Sequence, residues 1–68
     1  MIIFDRLWVT MKRRGISTYA LREKYSVESK TIRRLKGNMN METDTLDRLC
    51  KILGCELSDI AEYRSDDS

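Results

Sequence analysis

Four cations, Lys30, Arg33, Arg34 and Lys36, fall within the eight residues Ser29–Lys36, interleaved with Ile32 and Leu35. On a helix this spacing puts the two apolar residues on one side and the cations on the other. A helix that is apolar beneath and crowded with ammonium and guanidinium groups above suits a docked element facing a polyanion. A solvated basic helix face would carry the same charges, and charge alone leaves both readings open.

The wider charge pattern is polarised. From Lys12 to Lys36 the bases are Lys12, Arg13, Arg14, Arg22, Lys24, Lys30, Arg33, Arg34 and Lys36; nine bases against Glu23 and Glu28 give +7. From Gly37 to Ser68, three bases against eight acids give −5, so the net charge of +2 hides two opposed halves. If folding gathers the first set onto one surface, that surface attracts a phosphate backbone while the acidic half looks elsewhere.

Composition removes several other classes. The chain has 68 residues and no histidine, and its two cysteines, Cys50 and Cys55, are too few for a disulfide scaffold or a metal site. Both are expected to be reduced, in a cytoplasmic protein, and Cys50 to act as a small buried hydrophobe. There is no glycine-rich phosphate loop and no nucleophile or paired-carboxylate constellation in a chain able to wall off a pocket, so no enzyme and no cofactor are expected. Met1–Phe4 is apolar but too short for a signal peptide or a membrane span. One domain over residues 1–68 is expected, with 64–68 a frayed tail. A core this small leaves a thin margin, which association with a second copy would supplement.

Proline is absent and Val, Ile and Thr never alternate over a sustained run, which predicts an all-α fold. The first helix, about 4–14, carries Ile3, Leu7, Trp8 and Met11 inward, and Gly15 stops it. Ser17 caps a second helix over 18–24, with Ala20 and Leu21 inward and Tyr25 and Val27 closing a turn. The third helix, 29–36, could be capped by Ser26, Glu28 or Ser29, and Gly37 ends it. Met39 and Met41 fold back from a loop as soft fillers. Thr43 caps a fourth helix whose Leu46, Leu49, Cys50 and Leu53 form the clearest apolar stripe, and Gly54 stops it. Leu57, Ile60 and Ala61 mark a short fifth helix over 58–63.

Five helices with a helix-turn-helix at the second and third resemble the lambda-repressor/Cro-like regulators, the xenobiotic-response-element family. Gly15–Ser17, Ser26–Gly37 and Thr45–Ile60 carry the resemblance in the right order, and with Phe4–Trp8 the chain is similar to a subgroup of small stand-alone bacterial proteins. The resemblance implies that Ser29, Lys30 and Arg34 face base edges, where arginine or lysine can donate to guanine O6/N7. It places Ser17, Thr18, Arg22, Glu28, Arg33, Lys36 and Asn38 against the phosphate backbone or flanking it. Glu28 either accepts from cytosine N4 or repels phosphate and tunes placement. The chain departs from the family at Arg22, where alanine is usual; at Ser26, where glycine is common; and at Met11 and Lys36, in place of a frequent Arg–Glu pair.

The resulting expectation is a sequence-specific binder of double-stranded DNA, a homodimeric repressor reading the major groove with residues 29–36. The alternative is a protein-interaction module on the same fold, an antitoxin or adaptor with weak or no DNA binding. An RNA-stacking platform is disfavoured because the single tryptophan, the single phenylalanine and most tyrosines are expected to be structural.

Overall fold

In the computed structural model of the chain, residues 1–65 are described. The order is β1 (Ile2–Ile3), α1 (Asp5–Arg14), α2 (Thr18–Glu23), α3 (Ser29–Lys36), α4 (Thr43–Leu53), one 3-10 turn (Leu57–Asp59) and β2 (Glu62–Tyr63). Each helix sends at least one large apolar side chain to a common centre. Leu7, Leu21, Leu35 and Leu49 are fully buried there, joined by Ile60 from the connection after the 3-10 turn. Phe4, Met11, Val27, Ile32 and Leu53 complete the cluster, with Trp8 and Ile16 partly buried against it. Each such side chain contributes about 1.5–3 kcal/mol through burial.

Three helices end in the same way. After α1, Gly15 takes φ 70°, while the Ile16 amide donates back to the Met11 carbonyl at 3.0 Å. After α4, Gly54 takes φ 62°, and the Cys55 amide reaches the Cys50 carbonyl at 3.1 Å. These are left-handed closures that satisfy carbonyls the helix leaves open. At α3 the expected glycine does not play that part. Gly37 has φ −89°, Asn38 takes the left-handed position at φ 52°, and Met39 donates to the Arg34 carbonyl at 2.9 Å. Asparagine tolerates that backbone region well, and a Cβ on Gly37 would stand 3.4 Å from Met39 Cγ, at the edge of ordinary contact, so neither φ nor space demands glycine there.

The helix starts also sort themselves. Ser17 caps α2 as expected, its hydroxyl accepting from the Ala20 amide at 3.1 Å. Glu28, of the three candidates, occupies the cap position of α3, without a side-chain bond. Glu42 rather than Thr43 takes that position at α4.

The fold is mostly helical, with four α-helices among the described residues where five were expected, and a two-stranded ribbon the sequence did not predict. Ile3 does not belong to α1; it lies in β1, which pairs antiparallel with β2, Ile2 opposite Tyr63 and Ile3 opposite Glu62. Residues 58–63 form no helix: Glu56 and Asp59 make a capping box around a 3-10 turn, and the chain then extends into β2. Strands of two residues are too short to show alternation, and Leu57, Ile60 and Ala61 fit one tight turn as well as a helix. Arg64 is held rather than frayed, since its amide donates to the Met1 carbonyl at 2.8 Å and the Met1 ammonium donates to the Arg64 carbonyl at 2.6 Å. The remainder of the expected tail, 66–68, lies outside the described residues.

Side chains of α1 tie the two ends of the chain together. Arg6 donates to the Ser58 carbonyl at 3.1 Å and pairs with Glu62 at 3.3 Å. Thr10, only 6% exposed, donates its hydroxyl to the Asp59 carbonyl at 2.6 Å. Replacing Thr10 by valine keeps the shape and removes the donor, leaving a part-buried carbonyl unpaired. Urea denaturation of Thr10→Val should show a loss of about 1–3 kcal/mol; an unchanged midpoint would mean that this bond contributes nothing net.

Candidate nucleic-acid interface

The interface is built on α3. Ile32 and Leu35 are buried beneath it, so the helix cannot roll without exposing them. Ser29, Lys30, Arg33, Arg34 and Lys36 are left exposed. Lys30 and Arg34, four residues apart and therefore neighbours on the helix surface, line one polar groove with Asn40, Glu42 and Thr45 from the segment leading into α4. Ser29 and Arg33 form the adjoining strip of the same exposed surface, again by their spacing.

The nine bases between Lys12 and Lys36 are all exposed, and none is in an ion pair among the described residues. Among the described residues, ion pairs join Arg6 to Glu62, Arg64 to Glu62 and Lys51 to Asp47, all outside that stretch. Arg14 is the exception to the pattern: it donates to the Gly54 carbonyl at 3.2 Å and is engaged at the end of α4. Leaving like charges uncompensated on one stretch costs self-repulsion, which an incoming polyanion would relieve.

The start of α2 supplies a second group. Ser17 keeps its hydroxyl hydrogen available while its oxygen caps Ala20. The first amides of α2, at Thr18 and Tyr19, have no acceptor within the helix by construction. Thr18 and Ser17 share a shallow groove with Trp8 and Lys12, so the half-buried indole stands beside them. Arg22 is exposed, its guanidinium 6.0 Å from the centroid of the Tyr19 ring. Tyr19, 64% exposed, is a neighbour the sequence reading passed over. The expectation that most tyrosines are structural fails at Tyr19 and Tyr63, both largely exposed.

The turn between α2 and α3 sets the angle of the whole element. Ser26 adopts φ 58°, which lets the Val27 amide return to the Leu21 carbonyl at 2.8 Å. From α4, Arg48 donates to the Tyr25 carbonyl, fastening the turn to the rest of the fold. Nothing in the charge pattern singled Arg48 out, because a bond to a carbonyl leaves no trace in sequence. Asn38 also serves the fold: its Oδ1 accepts from the Phe4 amide at 2.7 Å, so only its amide NH2 remains to offer a phosphate. Asn40, exposed in the same loop, lies nearer the cationic groove. Glu28 is exposed beside Lys30 and Arg34 on that groove. Lys36 and Met11 make no pair: Met11 is buried in the core and Lys36 is exposed.

Comparison with known proteins decides what this arrangement is. The sequence profile of the Cro/C1-type HTH DNA-binding domain matches residues 6–66. The chain belongs to that family. No curated protein sequence matches it significantly. Among solved structures, this Cro/C1-type domain is similar to the crystal structure of the transcriptional regulator VanUg, Form II, with a TM-score of 0.85 and 28% identity over 96% of this chain and 87% of that one. In the turn before α3, Ser26 meets the left-handed backbone at a cost glycine does not bear. Ser26→Gly should therefore raise stability by about 0.5–1 kcal/mol in thermal or urea unfolding. A lower midpoint would show that the serine side chain earns its place through contacts instead.

Proposed function

We propose that this chain is a sequence-specific double-stranded DNA-binding regulator, a repressor acting as a homodimer, with α3 entering the major groove. The observation that carries the reading is the division of α3: Ile32 and Leu35 are locked in the core while Lys30, Arg33, Arg34 and Lys36 are exposed and in no ion pair among the described residues. Lys30 and Arg34, with Ser29, read base edges; Ser17, Thr18, Arg22, Arg33 and Lys36 hold the phosphate backbone. Glu28 tunes placement from the groove it shares with Lys30 and Arg34.

A second copy fits the remaining surface. Met1, Ile2, Met39 and Tyr63 are exposed apolar or aromatic residues on or beside the ribbon, and a two-stranded ribbon has an open edge on each strand. Two copies would set their α3 helices on half-sites about 10–10.5 base pairs apart, or a multiple of that. The same exposed residues favour a second reading, a protein-interaction module of the antitoxin or adaptor kind.

Selection of bound duplexes from a random pool, followed by gel shifts at two salt concentrations, separates these readings. The native chain should select one motif, and the double charge reversal Lys30→Glu, Arg34→Glu should lose that selectivity. Truncating Arg33 or Lys36 to alanine should weaken all duplexes alike, each lowering the salt slope by about 1. Unaltered selectivity in the double reversal, with circular dichroism intact, would sink the assignment of Lys30 and Arg34. A native chain that ignores duplex DNA at low salt would sink the DNA reading itself. Light scattering of the free protein tests the dimer.

A further inference from the structure

The left-handed closure at the end of α4 has a chemical peculiarity absent from the other two. In such a closure the residue whose carbonyl is reached and the residue whose amide reaches it commonly pack their side chains together. After α1 those residues are Met11 and Ile16; after α4 they are Cys50 and Cys55, with the Cys55 amide 3.1 Å from the Cys50 carbonyl. Both cysteines are free and neither is fully buried. The closure brings the two side chains to the same side of the turn, near enough that Cys50 helps to raise the Cys55 thiol. Cys50 also opens onto a shallow groove between α4 and the 3-10 turn, beside Leu46 and Leu57.

We propose that Cys50 and Cys55 form a dithiol site that closes to an intramolecular disulfide by exchange with a low-molecular-weight disulfide. The Cys50 sulfur, on the open groove, gives its proton to solvent and attacks one sulfur of the small disulfide, forming a mixed disulfide and releasing one small thiolate that takes up a proton. The Cys55 sulfur, losing its proton to solvent, then attacks Cys50 Sγ and releases the second small thiol. The two protein thiols are oxidised, one small disulfide is reduced to two thiols, and no other electron acceptor is needed. Burial, helped by the neighbouring Cys50 and Asp59 and opposed by Arg14, pushes the Cys55 thiol above its ordinary value. Cys55 thus stays a thiol at neutral pH and suits the second step better than the first. Closing the bond would tie α4 to the segment carrying Asp59, whose carbonyl Thr10 already holds. That segment leads directly to β2.

The test is exchange of the full chain with cystamine at fixed ratios of cystamine to cysteamine, quenched with acid and read by intact mass and peptide mapping. The folded chain should give a monomer that has lost two hydrogens, linked Cys50 to Cys55. Its ratio of closed to singly capped species should exceed that of the urea-unfolded chain by about tenfold or more, because the fold holds the thiols together. Cys50→Ser and Cys55→Ser should each stop at one mixed disulfide. Disulfide-linked dimers, a doubly capped monomer, or closure no better folded than unfolded would overturn the proposal; circular dichroism before quenching confirms which state was assayed.

Discussion

Everything the cationic helix can do depends on the burial of Ile32 and Leu35. With Leu35 fully buried and Ile32 nearly so, rotation of α3 about its axis would carry apolar surface into water at roughly 25 cal/mol per Å². That penalty fixes which way Lys30 and Arg34 point. The core is therefore what positions this cationic face, although none of its residues lies on it.

The rest of the scaffold keeps that helix at a set angle by backbone means. Left-handed residues end α1, the α2–α3 turn, α3 and α4 at Gly15, Ser26, Asn38 and Gly54. Each turns the chain sharply within one or two residues, so the helices can share a small core. Side-chain bonds to carbonyls then fasten the turns: Arg48 to Tyr25, Arg14 to Gly54, Thr10 to Asp59. Bonds of this kind replace the hydrophobic area that so short a chain cannot bury.

Charge is distributed with the same economy. Beside the ribbon Glu62 pairs with both Arg6 and Arg64, which leaves one positive charge over. Between Lys12 and Lys36 no base is in an ion pair among the described residues, although Glu28 and Glu42 line the groove of Lys30 and Arg34, and Arg14 is engaged at the end of α4. The asymmetry gives the molecule a direction: one stretch is poised for an anion and the other is already satisfied internally.

The span of α3, its buried and exposed sides, the Ser17 cap and the charge polarity were legible in the sequence. All of these are local: periodicity, a capping hydroxyl and formal charge need no knowledge of neighbours. The family was legible for a related reason, since several such signals occur in a characteristic order. What the sequence left open or misassigned was decided by partners distant along the chain. Ile3 became a strand residue because Glu62 lies opposite it, and the supposed fifth helix gave way to a turn and a strand because the first residues needed a pairing partner. Asn38 was drawn into the fold by Phe4, thirty-four residues away. Backbone pairing across long separations depends on three-dimensional proximity, which residue identity does not encode locally, and only the tertiary structure could supply it.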